Sequence, residues 1–403
     1  MGSPRSSADG PSVRVALGPD RGPVEDAICG YMVVSDDRPE RGCSAIEVLA
    51  FYLPQFHPIP ENDEWWGPGF TEWTNVTRAK PLFRGHPQPH LPSDLGFYDL
   101  RVPEVRAHQA DLARSYGVTG FIYWHYWFGG RQLLERPFAE VVASGEPQFP
   151  FCVAWANHNW SDRWMGGEER VMVQQTYPGP DDDVAHFEYL RPAFEDSRYI
   201  RINGSPVLFV FRAPDLPDPQ RFVETWKAMA EDIGGLYLVS CGPFLDPAET
   251  AAQGFDAIVF IEKPFARPTI KSRANSFLRG HHLRRGPHRY EYGDFCGSDP
   301  PEGLACTAIP CVWPNWDDTP RRGRRGVVAV GSNPELFSRQ VAHGADIARL
   351  APPGEQVLAI KSWNEWAEGN YLEPDQEFGL GRLEALAQGL AESAASSKHT
   401  RSP

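Results

Sequence analysis

Short apolar runs alternate with longer amphipathic stretches along most of this chain. Eight runs have the length and composition of buried strands: 46–52, 119–126, 149–154, 206–211, 236–240, 257–261, 306–312 and 357–361. Apolar residues recur at helical spacing in seven segments between and after them: 102–116, 133–143, 184–194, 219–232, 247–253, 334–350 and 380–393. Eight strands that alternate with helices predict a parallel α/β sheet closed into a (β/α)8 TIM barrel.

Three connections are long, at 55–101, 262–305 and 313–333, and each follows the carboxyl end of a predicted strand. Barrel enzymes build their active sites at this face, so we expect the long loops to carry the chemistry. An open, doubly wound sheet is the alternative. It is disfavoured because no Gly-x-Gly-x-x-Gly turn follows the first strand.

Composition and charge exclude some classes of partner and of cellular location. The 403 residues carry a formal net charge of −14, which argues against nucleic acid as a partner. No run reaches transmembrane length and residues 1–26 contain no signal-like apolar stretch, so a cytoplasmic protein is expected. The seven cysteines include no Cys-x-x-Cys pair, and Cys152, Cys241 and Cys311, within apolar runs, are predicted to be reduced thiols.

A pair of carboxylates follows the last predicted strand. Glu365 and Glu368 lie three positions apart in the segment 361–370, KSWNEWAEGN. Most Glu-x-x-Glu pairs lie on solvated helix faces, but an apolar strand that ends in Trp-Asn-Glu-Trp favours carboxylates at the mouth of a barrel. Cleavage of a glycosidic bond requires two such groups facing one sugar, so both residues are predicted to be catalytic.

Aromatic side chains with Asn, His, Asp and Glu follow several other strands and predict a groove that stacks sugar rings and binds their hydroxyls. The predicted substrate-binding residues are His57, Trp65, Trp66, Glu72, Trp73, Trp124, His125, Tyr126, Trp155, Asn157, His158, Asn159, Trp160, Glu262, Trp313, Trp316, Asp317, Asn364 and Trp366.

Other chemistries have less support. The histidines show no metal-binding spacing, so neither a metal nor another cofactor is expected. The chain has no Gly-x-Ser-x-Gly nucleophile elbow and no Gly-Lys-Ser/Thr phosphate loop. The basic stretches 281–285 and 321–325 are expected to be solvated loops instead of contacts for a polyanion.

Six segments carry a family resemblance: FYLPQFHP (51–58), GFTEWTN (69–75) after Trp65 and Trp66, HLPSDLGFY (90–98), YWHYWF (123–128), WPNWDDTPRR (313–322) and WNEWAEG (363–369). Together they resemble the WbsX-type proteins, the branch similar to glycoside hydrolase family 99, from about residue 46 to residue 390. The resemblance implies a (β/α)8 catalytic domain over 45–397. Residues 1–44 are rich in Pro, Gly, Ser, Asp and Arg without sustained periodicity, which predicts a poorly structured extension, and 398–403 form a tail.

Family 99 comprises retaining endo-acting α-mannosidases and α-mannanases with an Asn-Glu-Trp-x-Glu-Gly motif. The resemblance implies that Glu365 is the base that deprotonates the sugar's 2-hydroxyl, which then forms a 1,2-anhydro intermediate. It implies that Glu368 is the general acid and later the base. His158 and the Glu262-Lys263 pair depart from the pattern of relatives, so the glycan is not carried over. The alternatives are a WbsX-type glycosyltransferase of surface-polysaccharide synthesis and a catalytically silent glycan-binding barrel.

Overall fold

The computed structural model describes residues 46–162, 170–243, 245–261, 286–295 and 305–399. Within them, one parallel sheet contains nine strands, which we number in chain order: β1 Glu47–Tyr52, β2 Gly120–Phe128, β3 Phe151–Trp155, β4 Ser205–Val210, β5 Tyr237–Gly242, β6 Ala257–Phe260, β7 Thr307–Ile309, β8 Cys311–Val312 and β9 Val357–Ile360.

The sheet closes on itself. Its order is β7-β6-β5-β4-β3-β2-β1-β9-β8, and all of these neighbours are parallel. The two terminal strands, β7 and β8, are separated only by Pro310, so one run of chain pairs with β6 on one side and with β9 on the other. The predicted barrel is therefore confirmed, with eight strand positions.

Pro310 is the reason that the predicted strand 306–312 is two strands. Proline fixes φ and has no N–H group to offer a neighbouring strand, so a ladder is interrupted where it occurs. The carbonyl of Pro310 still accepts a hydrogen bond of 2.9 Å from the Ala359 N–H, which ties the break to β9.

Ten α-helices lie within the described ranges: α1 Pro60–Trp66, α2 Glu72–Arg78, α3 Pro103–Ser115, α4 Arg136–Ser144, α5 Pro180–Phe194, α6 Pro219–Met229, α7 Pro247–Ala252, α8 Thr319–Arg322, α9 Pro334–Ala348 and α10 Gly381–His399. Seven correspond to predicted helices. The other three, α1, α2 and α8, lie in long connections that were predicted only as loops. Each has seven residues or fewer, too short to establish a 3.6-residue period.

The bounds of the predicted helices differ by a few residues. Helix α5 begins at Pro180, four residues before the predicted start, because proline suits the first helical turn and three aspartates follow it there. Helix α6 ends at Met229, and the 3-10 turn Glu231–Ile233 follows. The predicted start of α4 at residue 133 instead belongs to the short strand Arg131–Leu133, which pairs antiparallel with β2.

The barrel strands are buried on both faces, as expected for a sheet covered by helices. The connections contain three short strand pairs: Trp160–Ser161 with Val171–Val173, His288–Glu291 with Val327–Val330, and Asn364–Glu365 with Asn370–Tyr371. Arg201–Ile202 pairs antiparallel with β4. Among the described helices, none combines the length and apolarity needed to cross a membrane. Cys152, Cys241 and Cys311 are free thiols, as predicted.

Candidate active site

A cleft of about 670 Å³ opens where the barrel strands end, and the carboxyl groups of both predicted catalytic residues line it. Polar and aromatic side chains from several strands and loops surround this space. The predicted residues that line it are Trp66, Trp124, Tyr126, His158, Asn159, Trp160, Trp313, Trp316, Glu365 and Glu368.

The segment after β9 explains why both carboxylates face one space. Residues Asn364–Glu365 pair with Asn370–Tyr371, and the 3-10 turn Trp366–Glu368 joins the two strands. The Asn364 side chain fastens this hairpin to the end of β1, because its Oδ1 accepts from the Leu53 N–H at 2.7 Å and its Nδ2 donates to the Leu53 carbonyl at 3.1 Å. Asn364 is fully buried, so it positions the hairpin and does not contact the cleft.

Gly369 closes the turn with a left-handed φ of +58°. A Cβ at this position would lie 2.8 Å from the Asp317 Cβ and 2.8 Å from its backbone nitrogen. We expect Gly369→Ala to lower the free energy of unfolding by about 1–3 kcal/mol more than Gly379→Ala, because of this overlap. Gly379 is the matched control, since its φ is +55° with open space around it. Urea unfolding of both variants measures the difference; equal losses would contradict it.

Glu365 is held by two donors. Its Oε1 accepts from the Trp124 indole N–H at 3.0 Å and its Oε2 accepts from the Lys361 ammonium at 3.0 Å. Only 5% of the residue is exposed. Burial raises the pKa of Glu365 to about 7, Lys361 opposes that rise, and the neighbouring Glu368 adds to it through its charge and a shared hydrogen bond. Both carboxyl groups lie near one cation, since the Lys361 Nζ is 3.0 Å from Glu365 Oε2 and 4.0 Å from Glu368 Oε2.

Glu368 contacts a largely buried arginine that was not predicted from the sequence. Arg321, the third residue of α8, donates from Nη1 to Glu368 Oε1 at 2.8 Å and from Nη2 to Glu72 Oε1 at 2.7 Å. Its side chain is 11% exposed, so the expectation of a solvated loop at 321–325 is wrong for this residue. A cluster of positive residues in the sequence does not reveal which carboxylates, distant in the chain, one of its members will contact. The expectation of a solvated side chain was wrong for that reason.

Glu72, the first residue of α2, belongs to the same cluster. It is fully buried and accepts the Ala367 N–H at 3.0 Å as well as Arg321. Burial raises the pKa of Glu72, and Arg321 limits that rise. Although predicted to bind substrate, Glu72 does not line the cleft; it anchors the arginine and the turn that bear on Glu368.

Aromatic rings form two groups along the cleft. Trp313 and Trp316, on the loop after β8, lie 5.3 Å apart between ring centroids. Tyr126 at the end of β2 packs against Trp160 at 5.0 Å. Lining residues that the sequence analysis did not select are Leu53, Gln55, Phe128, Ala156, Ser161, Val171, Phe211, Arg212, Asp215, Pro243, Ile261, Asp318, Arg321, Arg322 and Lys361.

Ten of the predicted substrate-binding residues do not line the cleft: His57, Trp65, Glu72, Trp73, His125, Trp155, Asn157, Asp317, Asn364 and Trp366. Nine of them are buried, and Trp65 is partly buried. Glu262 and the basic stretch 281–285 lie outside the described residues.

The contacts of these residues are with the protein itself. His125 Nε2 contacts His186 Nε2 of α5 at 2.9 Å, and Trp366 donates to Glu373 at 2.6 Å. Asn157 binds the backbone N–H and carbonyl of Arg212 at 2.8 and 3.0 Å. They therefore hold the loops and strand ends that shape the cleft.

Asp317 and its neighbours fix the loop after β8. Its Oδ2 accepts from Gln88 Nε2 at 2.6 Å and contacts His86 Nε2 at 2.7 Å, while its Oδ1 accepts from the Thr319 hydroxyl. Its backbone N–H donates to the Glu368 carbonyl at 2.6 Å. In the described part of the chain, no group of three His, Cys, Asp or Glu side chains has the geometry to hold a metal ion.

Known proteins are similar to this chain in sequence or in fold. The profile of the family described as Glycosyltransferase WbsX matches residues 48–386. The protein WxcX of Xanthomonas campestris pv. campestris is 38% identical over 360 residues, which cover 85% of this chain and 49% of WxcX. WxcX of strain B100 is 39% identical with the same coverage. The chain thus spans about half the length of the curated relatives it matches.

Two solved structures share the architecture. One, named glycoside hydrolase-like protein, superposes with a TM-score of 0.55 at 15% identity and covers 86% of this chain and 94% of its own. The GH99 endo-α-mannosidase from Bacteroides thetaiotaomicron superposes with a TM-score of 0.53 at 15% identity, covering 88% and 98%. At this identity the likeness concerns the fold, and it agrees with the closed barrel described above.

Proposed function

The chain belongs to the Glycosyltransferase WbsX family, and from this premise we propose that it is a carbohydrate-active enzyme that cleaves α-glycosidic bonds with retention of configuration. Its substrate would be a bacterial poly- or oligosaccharide. The observation that carries the proposal is the pair of buried carboxyl groups, Glu365 and Glu368, which share Lys361 as a neighbouring cation at a cleft lined by aromatic rings.

The electrostatics of the pair supports a division of roles. Glu365 and Glu368 are both buried, and the charge of Glu368 opposes ionisation of Glu365. Neighbouring acidic groups in a buried site favour a state in which one is protonated and the other is charged. Such a pair can supply one acid and one base, and retention is proposed from the resemblance to family 99.

In the proposed reaction, Glu365 takes the proton of the 2-hydroxyl and that oxygen attacks the anomeric carbon, which forms a 1,2-anhydro sugar. Glu368 gives its proton to the glycosidic oxygen as the C–O bond breaks. In the second half, Glu368 takes a proton from water, water opens the anhydro ring, and Glu365 returns its proton to the 2-oxygen. Two displacements at one carbon retain its configuration.

A screen of α-linked bacterial glycans followed by NMR of the fresh product tests this function. We expect the newly formed reducing end to appear first as the α-anomer and to equilibrate later. An initial β-anomer would contradict the proposed mechanism, and the absence of cleavage across the screen would contradict hydrolysis. Samples should be read within the first minutes, before spontaneous mutarotation mixes the anomers.

The family description favours one second candidate, a glycosyltransferase of surface-polysaccharide assembly. The sequence does contain an Asp-x-Asp spacing at 181–183, a pattern that can hold a sugar nucleotide's metal. These aspartates occupy the first turn of α5, Asp182 accepts from the Trp127 indole at 3.1 Å, and none of them lines the cleft. Calorimetric titration with nucleotide sugars distinguishes the two functions, because saturable binding is expected only of the transferase.

A further inference from the structure

We propose that Lys361 is a positioning residue that opposes protonation of Glu365 and so biases the pair toward carrying its proton on Glu368. This inference rests on the proposed function, because it explains why one of two adjacent carboxyl groups is the base and the other the acid. Lys361 follows directly after β9, four residues before Glu365, and was not among the residues selected from the sequence.

Lys361 is placed asymmetrically between the two carboxyl groups. Its Nζ lies 3.0 Å from Glu365 Oε2 and 4.0 Å from Glu368 Oε2. The ammonium group also lies 5.8 Å from the ring centroid of Trp124 and 5.7 Å from that of Trp313, so aromatic faces confine it on two sides. Its side chain is 10% exposed, and in such a site a unit charge acts strongly on its nearest neighbour.

The other nearby cation is already balanced. Arg321 divides its guanidinium between Glu368 and Glu72, at 2.8 and 2.7 Å, and Glu72 is fully buried. The Arg321–Glu72 pair is therefore close to neutral as a unit when seen from Glu368. Lys361 contacts no carboxylate outside the catalytic pair among the described residues, so its charge acts on Glu365 without such compensation.

The hydrogen bonds of Glu365 point the same way. Trp124 and Lys361 can only donate, and they occupy both oxygens of Glu365. Hydrogen bonds donated to a carboxylate favour its charged form. Other titratable groups that act on Glu365 are Glu368 on the same hairpin, Arg321 of α8, which pairs with Glu368 and Glu72, and the Tyr126 hydroxyl on β2. The Cys311 thiol acts on the ammonium group of Lys361.

The direct test follows the ionisation of Glu365 by carbon-13 NMR of protein labelled at the glutamate carboxyl carbon, with the signal identified by its loss in Glu365→Gln. We expect Lys361→Met to raise the midpoint of this titration by about 1–3 pH units, the effect of removing an opposite charge at this range. Lys361→Gln, which keeps a donor but no charge, is the second variant in case Met disrupts folding, and it should shift the midpoint in the same direction.

Lys227→Met is the matched control, since Lys227 on α6 also pairs with a carboxylate, Asp256 at 2.8 Å, but lies outside the cleft. An unchanged Glu365 midpoint in a folded, charge-free Lys361 variant would overturn the proposal. The readout needs no substrate, so it stands even if no glycan is cleaved. With a substrate, the acid limb of kcat/KM should move to higher pH by the same amount, whereas a purely structural loss would lower activity equally at every pH.

Discussion

Glu365→Gln and Glu368→Gln are each expected to lower kcat/KM by about 10²–10⁴-fold, the usual contribution of a positioned general acid or base. Glutamine keeps the size of each side chain but can neither take nor give the proton. Steady-state hydrolysis of the glycan identified in the screen measures the loss. Full activity in both variants would remove the carboxylate pair from the mechanism.

The two variants should differ when the leaving group changes. An aryl leaving group needs no protonation, so Glu368→Gln should recover much of its activity on an activated aryl α-glycoside during the first displacement. Glu365→Gln should not recover, because its missing step is the deprotonation of the 2-hydroxyl. The reverse pattern would exchange the two roles. Glu392→Gln, on the exposed face of α10, is the matched control and should keep normal activity.

The barrel could be predicted from the sequence because its signal is local. Each strand is a short apolar run, and each long helix has a clear period. The division of the predicted strand 306–312 into β7 and β8 also has a local cause, the proline at position 310. Short helices such as α2 and α8 could not be predicted, since their positions depend on contacts with the hairpin after β9 and not on their own pattern.

Some of the predicted substrate-binding residues line the cleft and others do not, and strand periodicity explains much of this difference. Trp124 and Tyr126 on β2 line the cleft, whereas His125 between them turns toward α5, where it contacts His186. Side chains alternate between the two faces of a strand, so adjacent residues cannot all face one ligand. The predicted set took every polar or aromatic residue at a strand end, so it included residues that face away from the cleft and pack against the helices.

The contacts of Arg321 could not be predicted from strand periodicity or from any other sequence pattern. Its partners, Glu72 and Glu368, lie on α2 and on the turn after β9, and no spacing along the chain connects the three positions. Only the folded barrel brings them together. Lys361 is part of the segment 361–370, but no sequence pattern distinguishes it from other lysines. Its proposed role depends on its surroundings, which include the Trp124 and Trp313 rings.

The second large effect concerns stability. Arg321→Met is expected to lower the free energy of unfolding by about 3–5 kcal/mol at pH 8, because it leaves the fully buried Glu72 without its cation. The double variant Arg321→Met/Glu72→Gln should recover the part of this loss that comes from Glu72, whereas Glu368 still lacks its pairing with Arg321. Urea unfolding measures both. Arg339→Met is the control: its pair with Glu335 on α9 is exposed and should matter by about 1 kcal/mol or less.

The loss in Arg321→Met should depend on pH with a definite sign. Burial already raises the pKa of Glu72, and removal of Arg321 raises it further. A carboxyl group whose folded pKa exceeds its unfolded value destabilises the fold at pH values above the unfolded value. The difference between wild type and Arg321→Met should therefore shrink as pH falls from 8 toward 4.5, the ordinary pKa of a glutamate, and should depend less on pH in the double variant, where only Glu368 still lacks Arg321. A pH-independent loss in the single variant would show that packing, and not the charge of Glu72, makes Arg321 important.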